Sequence, residues 1–285
     1  MMSPLRLLLL TTLAMVAFAA NSLLCREALA SGQIGAASFT LARVVSGALV
    51  LATLVLARRG WSRPGGSWLS AAALFGYAAA FSLAYVSLSA ATGALLLFAA
   101  VQATMIVYGL WAGERLNARQ LLGVLVAAGG LVWLMLPGVS SPPLGGALLM
   151  LGAGVCWGVY SLLGRGAKAP MVATAGNFLR AVPFALVLFL LIGRSEASSL
   201  HGLLYAVASG ALASGLGYAL WYAVLPALPA TTAATVQLSV PVIAALGGVL
   251  LLGETISLRP GLATIAVLGG IALFIGRRLA ARSRR

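Results

Sequence analysis

The sequence predicts an all-α integral membrane protein: ten transmembrane helices forming two inverted five-helix repeats, with both termini cytoplasmic. Three observations predict it. The chain of 285 residues is 62% hydrophobic and 8% charged, whereas a soluble domain carries about 25% charged residues. Its apolar residues fall into ten runs separated by short polar or Pro/Gly breaks, each long enough to cross a hydrocarbon core at about 1.5 Å per helical residue. The second half repeats features of the first at a shift near 140 residues.

Each run has an identifiable start and stop. In the first half the spans are 7–25 (between Arg6 and Arg26), 38–57 (before Arg58-Arg59), 67–88, 91–111 (before Gly113-Glu114) and 119–136 (before Pro137). In the second half they are 144–164 (after Pro142-Pro143), 172–193 (before Arg194), 202–225 (before Pro226), 229–252 (before Gly253-Glu254) and 259–276 (before Arg277-Arg278). The runs are apolar all round and rich in Leu, Ala and Gly, unlike the alternating ten-residue segments of a transmembrane barrel. Arg6, then Leu7 to Val16, then Ala17-Phe-Ala19 also has the shape of a cleavable signal. The repeat argues against its removal, because it makes this segment the counterpart of the sixth span.

Charge sets the expected orientation. The net charge is +14, but the cations lie scattered between spans, as lipid-facing anchors do, and form no basic surface for nucleic acid. With the N-terminus inside, thirteen of the eighteen Lys and Arg fall on the cytoplasmic side. Only Arg26, Arg194 and Arg259 fall outside, and Arg43 and Arg180 lie within spans. Cys25 and Cys156 sit in apolar segments without metal-ligand spacing, so neither a disulfide nor a metal site is expected.

The repeat has a definite register. At a shift of 140, Gly113-Glu114 meets Gly253-Glu254, Arg119 meets Arg259, and Gly129-Gly130 meets Gly269-Gly270. At 139, the segment Phe18 to Arg26 matches Trp157 to Arg165, and at 137 Arg43 meets Arg180. The halves are residues 1–138 and 139–285. Five helices per half is an odd number, so the second half enters the membrane inverted, which is an architecture of alternating-access transporters.

Two five-helix halves, the Trp157-Gly158 pair in the sixth span, Arg43 and Arg180 early in spans two and seven, and the Gly-Glu ends of spans four and nine together resemble the EamA-type branch of the drug/metabolite transporter superfamily. The resemblance covers nearly the whole chain. It implies a bacterial inner-membrane exporter of amino acids or other small metabolites. Two departures stand out: Phe18-Ala19 replaces the Trp-Gly pair in the first half, and Val101 stands where the second half has Pro241.

Polar and aromatic residues inside spans line a cavity or glue helices together. Convergence on single faces favours a cavity. In span three Tyr77, Phe81 and Tyr85 recur every four residues, and in span eight Tyr218, Trp221 and Tyr222 share a face. Spans four and nine offer Phe98, Gln102 and Gln237, and spans one and six offer Asn21, Ser22, Trp157, Tyr160 and Ser161. Such a pocket suits a small zwitterionic or partly apolar solute, and it holds no mid-membrane acid for a permanent cation.

Arg43 and Arg180 either snorkel to the near interface or act as gates. The topology predicts gating pairs Glu114–Arg180 on the cytoplasmic side and Glu254–Arg43 outside, with Arg119 and Arg259 as alternative partners. The four acidic residues, Glu27, Glu114, Glu196 and Glu254, and the single His201 fall at span ends or in loops. Uncoupled facilitated transport is therefore the simplest expectation, with proton coupling, or export of drugs, nucleosides or sugars, as the alternative. Neither a hydrolytic constellation nor a Gly-rich phosphate loop is present. An enzyme, a scramblase and an ATP-driven pump are disfavoured, and no cofactor is expected. The expected partners are a small-molecule substrate and membrane lipid, with the chain acting as a monomer and without nucleic acid.

Overall fold

A computed structural model describes residues 2–59, 65–136, 138, 141–165, 167–228, 230–255 and 257–275. Arg63 and the arginines from 277 onward, used above to set the orientation, lie outside the described residues. Ten helices among the described residues are long and apolar enough to cross a membrane. The first half comprises α1 (Pro4–Ala30), α2 (Ala36–Arg59), α3 (Trp68–Tyr85), α4 (Ala90–Trp111) and α5 (Ala118–Met135). The second half comprises α6 (Leu144–Leu163), α7 (Pro170–Ile192), an eighth span that runs α8 (Leu200–Ala208), a π-helical stretch Ser209–Leu216 and α9 (Gly217–Val224), a ninth span of α10 (Ala230–Gln237) and α11 (Ser239–Leu252), and α12 (Leu258–Ile275).

Local chemistry explains the boundaries. Ser3, Ser67, Ser89, Asn117 and Ser199 each accept a backbone N–H of the first turn, satisfying donors that hydrocarbon would leave bare. Proline occupies the first helical turn of α1 and α7, where its missing N–H costs nothing. The helix α1 runs past Arg26, because that charge is neutralised by a partner on another helix and does not end the span. Both Gly-Glu corners follow one rule: Gly113 (φ 88°) and Gly253 (φ 64°) adopt the left-handed conformation that reverses the chain after a helix.

The helices pack in matched pairs: α5 against α12, α2 against α7, α6 against α3 and α4, and α1 against the eighth span and α11, while α4 meets α11. Exchanging each span of the first half with its counterpart in the second leaves this pairing unchanged. The ends of α1, α3 and α11 meet at one face, through Arg26, and Gly146 near the start of α6 packs on Ser87 just past α3. Thus α1 ends on the face where α6 begins. We call this the Arg26 face and the opposite one, where α4 and α6 end and α7 begins, the Glu114 face. Outward-facing leucines such as Leu191 (75% exposed) and Leu250 (78%) supply the lipid surface.

Candidate substrate cavity

A cavity of about 1330 Å³ lies between the two halves. Its walls come from α1, α3, α4, α6, α7, the eighth and ninth spans and α12. It extends from the level of Ser22 and Phe81 to the Glu114 face, where Leu110, Glu114, Arg165 and Pro170 surround its mouth. It is larger than the 300–1,000 Å³ of a typical ligand pocket, as suits a vestibule that continues into a binding site.

One wall is a run of aromatic rings. Tyr77 meets Trp157 at 4.6 Å between centroids, Trp157 stacks on Tyr218 at 5.6 Å, and Tyr218 stacks on Tyr222 at 6.0 Å. Phe18 packs on Tyr218 and Trp221, so the departure from Trp-Gly in the first half keeps a ring at the cavity. Two polar chains are set into this wall. In one, Ser209 donates to Asn21 Oδ1 (2.6 Å), Asn21 Nδ2 donates to the Tyr77 hydroxyl (3.1 Å), and Arg43 Nη2 donates to the same hydroxyl (2.7 Å). In the other, the Tyr160 hydroxyl donates to Thr174 Oγ1 (3.3 Å), Asn177 Nδ2 reaches the Tyr160 hydroxyl (3.5 Å), and Thr174 shares a 3.0 Å hydrogen bond with Tyr222.

The π-helical stretch makes the first chain possible. It carries Ser209 and presses Gly210 onto α2, where a β-carbon would collide with the Arg43 carbonyl and the Ser46 hydroxyl. This approach helps bury Arg43, which is 3% exposed with its guanidinium 5.0 and 4.9 Å from the rings of Tyr77 and Phe81.

At the Arg26 face the cavity is sealed. Arg26 Nε pairs with Glu254 Oε1 at 3.0 Å, and its Nη1 donates to the carbonyls of Tyr85 and Val86. Glu254 also accepts the Ala90 N–H at 2.9 Å, placing a carboxylate at the positive N-terminal end of α4. Glu196 treats α2 the same way, accepting the N–H groups of Ala37 and Ser38.

These contacts correct the expected gates. Glu254 pairs with Arg26 and not with Arg43, because Arg43 lies seven residues into α2, about 10 Å below its start, and turns inward to Tyr77. On the Glu114 face Arg180 donates to the backbone carbonyls of Gly65 (2.6 Å) and Gly176 (3.0 Å), fastening the segment before α3 to α7. Arg259 donates to the Trp133 and Leu136 carbonyls, closing the end of α5.

The cavity gathers thirteen of the fourteen residues expected to line it: Asn21, Ser22, Tyr77, Phe81, Phe98, Gln102, Trp157, Tyr160, Ser161, Tyr218, Trp221, Tyr222 and Gln237. Tyr85 is the exception. It is fully buried one turn beyond Phe81, ring edge to face against it, with its hydroxyl 3.4 Å from the Ala90 carbonyl; the stripe has passed the cavity's closed end. Sequence reasoning missed Phe18, Thr174, Asn177 and Ser214, which also line it. A signal existed for Asn177, three residues before Arg180 on the same helical face, but none for Thr174.

The comparisons with known proteins agree with this architecture. Residues 144–276 match the EamA-like transporter family. An uncharacterized protein of Pseudomonas aeruginosa, PA1977, is 59% identical over 280 residues, covering 98% of each chain. The threonine/homoserine exporter RhtA of Salmonella typhimurium is 35% identical over 171 residues, which span 56% of this chain and 54% of that protein. An uncharacterized transporter of Archaeoglobus fulgidus is 28% identical over 79% of this chain and 82% of its own. A solved crystal structure superposes with a TM-score of 0.68 at 20% identity, covering 97% of this chain and all of that one, and so shares the fold. Residues 144–276 thus carry an EamA-like transporter domain, within a multi-pass membrane protein.

Proposed function

We propose that the protein is a secondary exporter of amino acids in the bacterial inner membrane, working by alternating access without ATP. The observation that carries this is the one-ended cavity: aromatic rings, amides and hydroxyls line its depth, one mouth is sealed by Arg26–Glu254, and the other reaches the surface. A site with ring faces and convergent hydrogen-bonding groups suits a small zwitterion. RhtA, a relative over half its length, bears the name of a threonine/homoserine exporter. The Lys/Arg bias puts the Glu114 face in the cytoplasm, so this conformation is loaded from inside, as an exporter requires.

The antiparallel α1 and α6 and the exchangeable helix pairing support an inverted repeat, and with it a second conformation in which the seal changes ends. The repeat names the residues of that second seal. Arg26 corresponds to Arg165 and Glu254 to Glu114, and Glu114 tucks over Gly109 as Glu254 tucks over Gly248. Arg165 and Glu114 both stand at the present mouth, with the Arg165 guanidinium 5.7 Å from the Tyr108 ring. Closure of the Glu114 face joins them.

Counterflow in proteoliposomes tests the reading. Labelled L-threonine, L-homoserine and L-phenylalanine are offered to vesicles preloaded with the same unlabelled amino acids. Exchange of at least one above protein-free vesicles is expected. Flux confined to nucleosides, sugars or drugs overturns the amino-acid assignment, and a proton current that accompanies flux overturns the uncoupled mechanism.

A further inference from the structure

We infer that the Tyr77 hydroxyl is the carboxylate-binding donor of the cavity, with Arg43 as the buried positive charge behind it. The inference rests on the amino-acid reading above and names the part of the solute that this end of the cavity holds.

The argument is a count of hydrogens. The Tyr77 oxygen accepts from Arg43 Nη2 at 2.7 Å and from Asn21 Nδ2 at 3.1 Å. The amide of Asn21 is oriented by Ser209, whose hydroxyl donates to Asn21 Oδ1 at 2.6 Å, so the nitrogen faces Tyr77. A phenol has two acceptor lone pairs and one proton. With both lone pairs taken, the proton is the one remaining resource, and no described side chain accepts it. Tyr77 lines the cavity, so the O–H is left for an acceptor there.

Two features make that acceptor an anion. A hydroxyl that accepts from a guanidinium is polarised into a stronger donor. Arg43 is 3% exposed, its Nη1 has no hydrogen-bond partner, and no described carboxylate lies within ion-pair distance of it. A cation held inside a membrane protein without a counter-charge is costly. A solute carboxylate on Tyr77 supplies that counter-charge one hydrogen bond away. Tyr77 therefore touches the solute, and Arg43 and Asn21 are positioning residues that aim its proton.

The test compares isosteric pairs: L-threonine against L-threoninamide and L-phenylalanine against L-phenylalaninamide. Each is measured as a competitor of counterflow and by quenching of tryptophan fluorescence in purified protein, where Trp157 and Trp221 report from the wall. In the wild type the carboxylate of the effective pair should bind at least about tenfold more tightly than its amide. In Tyr77→Phe that ratio should fall to near 1, while Arg43→Lys, which keeps charge but not the fork, should give an intermediate ratio. Size-exclusion profiles show that the variants fold. Equal binding of acid and amide in the wild type, an unchanged ratio in Tyr77→Phe, or no carboxylate-dependent quenching at all overturns the subsite. Flux with a ratio near 1 sinks the subsite and spares the exporter; a Tyr77-dependent preference in quenching without amino-acid flux does the reverse.

Discussion

Arg26 at the end of α1 and Glu254 at the end of α11 are 228 positions apart in the chain and 3.0 Å apart in space. The carboxylate simultaneously accepts the first N–H of α4, so one acid ties together helices from both halves. Their side chains are 23% and 14% exposed, which shields the pair from solvent more than a surface ion pair. Glu254→Gln keeps an acceptor but removes the charge, and a hydrogen bond to a charged group contributes about 1.5–3 kcal/mol. We expect it to move the equilibrium at least about tenfold toward opening at the Arg26 face. The check is the labelling rate of Ser22→Cys, in a background lacking Cys25 and Cys156, by an impermeant maleimide added outside whole cells. No acceleration means that the pair does not hold the seal.

At the other end the repeat makes a sharper demand. Arg165→Glu and Glu114→Arg should each lower transport several-fold through like-charge repulsion when that face closes. The double reversal restores opposite charges and should recover most of the activity. A double variant no better than either single one removes Glu114–Arg165 as the second seal.

The aromatic wall predicts a graded response. Trp157 contacts Tyr77, Tyr160 and Tyr218 and lines the cavity, so Trp157→Ala removes both a solute contact and the support of three rings. Loss of a large aromatic costs about 3–5 kcal/mol when it is buried in a core. Here the side chain is partly buried, and we expect KM for the transported amino acid to rise about tenfold or more, with Trp157→Phe closer to the wild type. An unchanged KM in Trp157→Ala places the solute elsewhere.

The span count and most of the residues that surround the cavity are legible because each is written in local pattern. Apolar length gives spans, and ring spacing of four gives a face. The gates were not legible as pairs, because reach depends on how deep a side chain sits and which way it turns. Nominal side of the membrane pairs Arg43 with Glu254, whereas the π-helical stretch, invisible to periodicity, helps turn it inward to Tyr77. The register nevertheless contained the right answer for Arg26: the match of Phe18 to Arg26 with Trp157 to Arg165 already paired the two arginines that flank the acidic corners. Thr174 was hidden for a different reason. A lone threonine in a helix is indistinguishable by sequence from one bonded to its own backbone, as Thr40 is to the Ala36 carbonyl.

The close approach of the eighth span to α2 yields a prediction about stability that also bears on the site. A side chain at Gly210 must displace the Arg43 carbonyl and the Ser46 hydroxyl; neither the backbone carbonyl nor a hydroxyl bonded to that same carbonyl can swing clear. Overpacking of this kind costs about 1–3 kcal/mol, so Gly210→Ala should lower the thermal midpoint in detergent by several degrees and Gly210→Leu by more. Gly129 is the control. It is also helical, but nothing lies within 4 Å of where its β-carbon would be, so Gly129→Ala should be neutral or slightly stabilising. Because Ser209 and Gly210 are consecutive, Gly210→Ala should also loosen the Ser209–Asn21–Tyr77 chain and weaken amino-acid binding, while Gly129→Ala leaves it unchanged. Equal midpoints for the two variants mean that the eighth span does not press on α2 as described.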